Sequence, residues 1–159
     1  MFIAGPYSAT FNSLGMGQIE NGFTVQEPGM GNAEMIRGDN LGPGADQDGV
    51  TQGGNCYISF VLMEYNVSVL RGLISPGSGG VPGIATPPGR LLSDYMYPLI
   101  LTKVAGSNAT PSIRTFRYAC LAPNNQIEYF MGNNKRFVPI RMQAFPYTLS
   151  GSVRYFEDA

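Results

Sequence analysis

Histidine and tryptophan are absent from this chain of 159 residues, and cysteine occurs only twice. Without histidine there is no Ser-His-Asp or Cys-His arrangement and no imidazole metal ligand, which excludes most hydrolytic and zinc chemistry. The lack of tryptophan counts against a sugar-binding protein, although the nine tyrosines could supply aromatic platforms instead. We therefore expect a protein that is not an enzyme and has no cofactor and no metal.

The two cysteines, Cys56 and Cys120, are too few for a disulfide framework and too far apart for a CxxC redox or zinc pair. Each alternates with apolar neighbours, so we predict that both are small core residues. The start of the chain, MFIAGPYSAT, has no basic region and no sustained apolar run, and no stretch approaches the roughly 20 apolar residues of a membrane span. We expect no secretory signal, no membrane partner and synthesis in the cytoplasm.

Charge is also scarce, at 13% of residues, whereas 21 Gly and 12 Pro make up one residue in five. A long helical protein is excluded, because Gly costs roughly 1 kcal/mol and Pro about 3 kcal/mol in a helix interior. Disorder is disfavoured by 43% hydrophobic and 11% aromatic residues. The length predicts a single domain over residues 1–159, rich in β-structure and turns.

Apolar residues that alternate with a period of two predict strands with one buried face at residues 55–64, 113–121 and 136–145. Pro139 lies on the outward face of the third, which argues for an edge position or a bulge because Pro cannot donate to a ladder. The predicted buried faces are Cys56, Ile58, Phe60 and Leu62, then Phe116, Tyr118 and Cys120, and then Val138, Ile140, Met142 and Ala144.

The unbroken apolar run at residues 96–104 predicts a strand covered on both faces, either by a second sheet or by a neighbouring subunit. Turn residues between the segments, such as Asn21-Gly22, indicate an antiparallel β-sandwich or partial barrel. Shorter strands are predicted at 2–4, 10–15, 22–27, 33–38, 126–131 and 151–156.

One short α-helix is predicted at residues 65–75, where Asn66 is a good N-cap and Pro76-Gly77 ends the pattern. Its apolar residues at 3–4 spacing are Val69, Leu70, Leu73 and Ile74.

Two long Gly/Pro-rich connectors stand out, residues 38–54 and residues 75–90. Loops longer than about 12–15 residues in a compact domain are usually functional or disordered. We interpret both as arms that become ordered on a neighbouring copy.

Charge is unevenly distributed between the two halves of the chain. Residues 1–64 hold seven acids and one base, a net charge of −6, and residues 65–159 hold nine bases and four acids, a net charge of +5. The halves can intermingle on the folded surface, or they can emerge on different faces and let copies pair head to tail.

The acids of the first connector, Asp39, Asp46 and Asp48, are the one constellation that resembles a site. Calcium is one interpretation, but the spacing is not that of a full EF-hand loop. A solvated acidic loop is another, and an acidic arm that meets Arg114 or Arg117 of a neighbouring copy is the third. The bases of the second half are spread over three segments and the net charge is −1, so we do not expect specific nucleic-acid binding.

The order of several phrases resembles that of tailed-bacteriophage tail tube proteins, over roughly residues 33–150. The Gly-rich acidic connector, the strand after it and the short helix fall in the order of that family. The phrases are YPLILTK at 97–103 followed by an Ala/Gly-rich step, FRYACLAP at 116–123, RFVPIR at 136–141 and AFPY at 144–147.

The resemblance implies a small β-sandwich with one helix, six copies of which close into a ring whose inner sheets form a continuous barrel. It also implies that residues 38–54 are a long stacking loop, through which rings stack into a hollow tube that carries the genome from capsid to host. The implied location is the virion tail, after synthesis in the cytoplasm of an infected bacterium, and the implied partners are further copies and other tail or neck proteins. DNA would pass without specific binding, so we expect acids or neutral groups in the lumen, with Glu20, Glu27, Glu34 and Glu64 as candidates.

Other interpretations stay open at this point. The composition also suits another virion β-protein, such as a capsid decoration or cement protein or a neck or tail-completion adaptor. A contractile-injection tube subunit is a further alternative, and an enzyme or carbohydrate-binding sandwich is the last.

Overall fold

Antiparallel pairing joins the strands throughout a computed structural model that describes residues 6–37, 46–74, 89–129 and 137–159. The prediction of a mainly β fold with antiparallel sheets and one short α-helix is confirmed. A 3₁₀ helix spans Leu92–Tyr95 and the α-helix α1 spans Val67–Ile74. The strands are β1 Tyr7–Phe11, β2 Leu14–Gly15, β3 Ile19–Gln26, β4 Asn32–Arg37, β5 Asp46–Gly53, β6 Cys56–Leu62, β7 Tyr97–Lys103, β8 Ile113–Leu121, β9 Val138–Ala144, β10 Tyr147–Leu149, β11 Ser152–Arg154 and β12 Glu157–Asp158.

The main sheet has eight strands in the order β2-β1-β7-β8-β9-β6-β3, with β12 paired to β8 beside this path. The inner faces of these strands and one side of α1 meet in a single cluster of buried apolar side chains. Strands β1 and β3 lie near opposite ends of the order and still contact each other, so the sheet curls around its core. The side chains buried most completely include Phe11, Ile58, Leu62, Leu70, Leu73, Leu99, Phe116 and Met142.

A β-bulge in β8 changes which of its residues face the core. Leu99 pairs with Phe116 but Tyr97 pairs with Ala119, so β8 contains one more residue than β7 between these pairs. The extra residue reverses the alternation, because successive side chains point to opposite faces. The prediction that Tyr118 shares the buried face is therefore wrong, and Tyr118 is exposed.

Strand β9 lies between β8 and β6, so the prediction of an edge strand is wrong for β9 as a whole. Its predicted buried face, which includes Val138 and Met142, is confirmed. Strand β8 pairs with β9 only as far as Met142, and the Ala122 N–H donates to the Arg141 carbonyl oxygen just beyond. The nitrogen of Pro139, two residues before Arg141, lies on the same side of β9 as the Arg141 carbonyl group. At that position β8 has already ended, so no N–H donor from β9 is needed there.

Strand β7 is covered on one face only within this chain. Leu99 and Leu101 are buried, whereas Pro98 and Thr102 on the other face are exposed and Ile100 is half-buried. Cover by a second sheet is therefore wrong for β7, and cover by a neighbouring subunit stays a prediction.

Helix α1 confirms the predicted helix and begins two residues later than expected. The Asn66 side-chain oxygen accepts hydrogen bonds from the N–H groups of Ser68 at 3.0 Å and Val69 at 3.4 Å, which is N-capping. Gly72 faces β2, and a Cβ there would lie 2.8 Å from a methyl carbon of Leu14. Gly72 has a low intrinsic helix propensity, but its lack of a side chain allows the helix to approach the sheet closely.

Several predicted segments differ from the structure. Residues 46–53 of the predicted stacking loop form strand β5, and residues 38–45 lie outside the described part of the chain. Residues 126–129 form no strand, because the chain leaves the sheet after β8 through a turn at residues 123–124. The predicted strand at 2–4 and most of the connector at 75–90 also lie outside the described residues.

Two adjacent substitutions in β7 test whether one face alone is covered. We expect Leu99→Ala to lower the free energy of unfolding by about 2–5 kcal/mol, because it leaves a cavity in the core. Ile100→Ala is the matched control on the other face and should cost about 1 kcal/mol. Urea unfolding at a protein concentration too low for association measures both, and equal losses would contradict the one-sided cover.

Candidate functional site

The β4–β5 hairpin stands apart from the main sheet, since its two strands pair only with each other among the described residues. At its base, the segment that leads into β4 and the segment that follows β5 are in close contact. The Gly31 N–H donates to the Pro28 carbonyl oxygen at 2.8 Å, and a Cβ on Gly54 would lie 2.4 Å from the Pro28 Cβ. Gly31 has a φ of +73° and its own Cβ would meet the Gly53 backbone at 2.5 Å, so both glycines are required where the hairpin leaves the core.

Among the side chains that the structure describes, one face of the hairpin combines the apolar Val50 with two carboxylates. Glu34 pairs directly with Val50 in register, and Asp48 lies two residues before Val50 on the same face. Val50 is 58% exposed, and the Gln52 amide donates to the Glu34 carboxylate at 3.1 Å. We call Glu34, Asp48 and Val50 the hairpin face.

Two of the three acids predicted to form a site lie on a strand. Asp46 and Asp48 belong to β5, and Asp39 lies outside the described residues. The Asp48 carboxylate accepts a hydrogen bond from the Gly49 N–H at 2.7 Å. In the part of the chain that the structure describes, no three Cys, Asp or Glu side chains come together as a metal site would require.

Arg114 is held by the last residues of its own chain. Its guanidinium donates to both oxygens of Asp158, at 2.6 Å and 2.7 Å, and stacks 4.1 Å from the centre of the Phe156 ring. The hydrogen bond with Asp158 raises the pKa of Arg114 above its ordinary value. A bidentate, stacked pair of this kind is the geometry in which Arg binds a carboxylate best.

Arg117, three residues further along β8, also contacts a carboxylate and an aromatic ring. Its guanidinium lies 2.8 Å from the Glu157 carboxylate and 4.9 Å from the centre of the Tyr147 ring. The Tyr147 hydroxyl donates to the same carboxylate at 2.6 Å. This hydrogen bond is the main cause that lowers the pKa of Glu157, whereas burial, followed by this bond, raises the pKa of Tyr147 to about 12.

These contacts fasten β12 to β8, and we call Arg114, Arg117, Tyr147, Glu157 and Asp158 the C-terminal clamp. The Ile113 and Ala159 backbones exchange two hydrogen bonds, at 3.0 Å and 2.9 Å. Strand β12 thus occupies the edge of β8 that β9 leaves free after Ala144. The two arginines predicted to meet an acidic arm of a neighbour are already engaged by carboxylates of their own chain, and the hairpin acids lie elsewhere.

The four glutamates predicted to line a lumen do not share one surface. Glu20 lies on the outer face of β3, and Glu64 follows β6 at the same end of the sheet. Glu27 follows β3 at the opposite end, and Glu34 lies on the hairpin. The chain alone does not bring the four together.

A groove of about 580 Å³ lies beside the end of α1 and was missed by the sequence reasoning. Leu92 and Ile127 contribute apolar surface, and Arg90 and Arg141 contribute positive charge. Arg141 stacks 4.0 Å from the centre of the Tyr57 ring. Its lining comes from four separate chain segments, so no local pattern in the sequence could have revealed it.

The two cysteines are buried and free, as predicted. Burial raises the pKa of both thiols to about 11, which keeps them protonated and unreactive at neutral pH. Cys120 lines the groove but offers no thiolate to a ligand.

No protein-family model matches this chain, and a comparison with curated proteins found no match. Neither described helix is long and apolar enough to cross a membrane.

The clamp predicts how acid affects stability. Because the pKa of Glu157 is lowered on folding, its contribution is present above the ordinary value of 4.5 and is lost as the pH falls through the folded value below it. We expect Glu157→Gln to be less stable than the parent at pH 7 and to lose less stability between pH 5 and pH 3. Urea unfolding across this range measures both, and an unchanged pH profile would contradict the role of Glu157. Glu128→Gln, at an exposed position, is the control.

Proposed function

We propose that this protein is a structural subunit of a bacteriophage tail tube, which self-assembles into hexameric rings that stack into a hollow conduit for DNA. Its location is the virion tail after synthesis in the bacterial cytoplasm, and its partners are further copies and other tail or neck proteins. The proposal starts from the resemblance of residues 33–150 to that family. The observation that carries it in the structure is the β4–β5 hairpin.

The hairpin has the properties of an assembly arm. A two-stranded hairpin by itself is marginally stable in water and needs a surface to pack on. Val50 is exposed on one face and Met35 on the other, so the hairpin presents apolar surface on both sides. Packing against another copy would bury these side chains and stabilise the hairpin.

The ends of the main sheet supply a second reason for association. Strand β3 ends the order on one side and β2 on the other, so each has a row of backbone groups without a strand partner among the described residues. Such edges pair with other chains unless they are protected. Ring closure would satisfy them without a change of fold.

Part of the outer face of the sheet is uncharged, as a passage for DNA would require. On β1, β6 and β7 this face carries no charged side chain within the described residues, and it includes the hydroxyls of Ser8, Thr10, Ser59 and Thr102. Arg141 of β9 is the register partner of Ser59 and lies on the same face, so the neutral part that would not attract phosphates is limited to β1, β6 and β7.

Assembly of the purified protein tests the proposal. We expect six-fold rings and tubes by electron microscopy, and oligomers by light scattering, as the protein concentration is raised. Val50→Glu should raise the concentration needed for assembly about tenfold or more, because it places a charge in the contact. Observation of monomers alone at the highest soluble concentration would refute the proposed function.

Val153→Glu is the matched control for this test. Val153 is 69% exposed on the β10–β11 hairpin, and strand β11 contains no acidic residue. We expect assembly of this variant to match that of the parent. If both variants assemble equally, the β4–β5 hairpin is not the assembly arm.

A further inference from the structure

The groove beside α1 has the dimensions of a binding site and an exposed apolar rim. Its volume of about 580 Å³ falls within the roughly 300–1,000 Å³ of ligand pockets. Leu92 lines it and is exposed, and the adjacent Leu91 is 70% exposed. Exposed apolar residues grouped around a depression indicate an interaction surface rather than a solvated one.

The charge of the groove is of one sign. Among the described residues that line it, Arg90 and Arg141 are the only charged ones and none is an acid. Within the described residues neither forms an ion pair, whereas Arg114 and Arg117 are bound by the C-terminal clamp. The groove therefore combines an apolar floor with Arg90 and with Arg141, whose guanidinium lies over the Tyr57 ring, and it suits a partner that carries carboxylates.

The hairpin face has the complementary arrangement. Val50 is flanked by Glu34 across the strand pair and by Asp48 along the strand, which gives one apolar side chain between two carboxylates. Seating Val50 on the apolar floor would place both acids near the arginines. Such pairing orients a contact and speeds its formation, while the buried apolar surface supplies affinity.

A chain cannot readily seat this hairpin in its own groove, because the two features lie toward opposite ends of the sheet. The hairpin joins the sheet through Gly54, immediately before β6, where the Tyr155 hydroxyl donates to the Gly54 carbonyl oxygen at 2.7 Å. Pro139 of the groove pairs with Val61 near the far end of β6. Five residues of strand separate Cys56 from Val61, which is about 17 Å.

We propose that the hairpin face of one copy docks in the groove of a second copy. The contact joins two different surfaces, so it is head to tail and can be repeated along the strand direction. This inference rests on the proposed self-assembly and names the surface that receives the arm. It replaces Arg114 and Arg117 as that surface by Arg90 and Arg141.

A charge swap tests the contact. Glu34→Lys with Asp48→Lys in one variant, and Arg90→Glu with Arg141→Glu in another, should each raise the concentration needed for assembly about tenfold or more. A chain that carries all four substitutions should assemble at close to the parent concentration, because its contact is attractive again. Light scattering measures assembly, and circular dichroism checks that each variant is folded.

Arg154→Glu is the matched control, since Arg154 is exposed on β11 and does not line the groove. The inference is overturned if the groove variant assembles like the parent, if Arg154→Glu impairs assembly as strongly, or if the four-fold variant is not rescued. A small molecule that fills the groove without affecting assembly would overturn it as well. Failure of the parent itself to assemble would instead refute the proposed function, so the two failures are distinct.

If a charge variant fails to fold, a pair of introduced cysteines tests the same contact. In the variant Val50→Cys with Leu92→Cys, oxidation of the assembled protein should produce covalent oligomers on a non-reducing gel, because the two new thiols meet across the contact. The native Cys56 and Cys120 are buried, and the parent chain oxidised in the same way is the control for Cys120, which lines the groove. Only monomers under these conditions, with assembly intact, would refute the docking.

Discussion

The structure depends on the burial of one face of every strand in the main sheet. Phe11, Ile58, Leu99 and Phe116 come from four different strands and meet in the same cluster as Leu70 of the helix. Because the sheet curls around this one core, part of its other face, including Pro98 and Thr102 of β7, has no cover from the described chain, and no described side chain of the β4–β5 hairpin belongs to the core. Both features leave surface that another copy can cover, and the proposed assembly follows from this arrangement.

Carboxylates near the C-terminus decide which bases are available to a neighbour. The chain leaves the sheet after β9 and returns as β12 beside β8, where Asp158 binds Arg114 and Glu157 lies beside Arg117. These pairs fasten the end of the chain to the middle of the sheet. Arg90 and Arg141, by contrast, form no ion pair among the described residues and line the groove.

The proposed assembly arm and the groove proposed to receive it lie toward opposite ends of the sheet. The hairpin leaves the fold before β6 begins, and the groove reaches the region where β6 ends. The uneven charge of the two halves of the sequence corresponds in part to this polarity, since Glu34 and Asp48 lie on the hairpin and Arg90 and Arg141 lie in the groove. A molecule with an acidic arm and a basic receptor at different places can build a repeating structure from one kind of subunit.

The sequence by itself determined the local elements, because periodicity and capping act over a few residues. Residues 56–62 alternate strictly and residue 66 caps a helix, so β6 and α1 were predictable. Only the tertiary structure decided the bulge that turns Tyr118 outward, the pairing of residues 46–53 with β4, the interior position of β9 and the engagement of Arg114 by Asp158. Each of these depends on which strand lies next to which, and that is set by closure of the core between residues far apart in the chain.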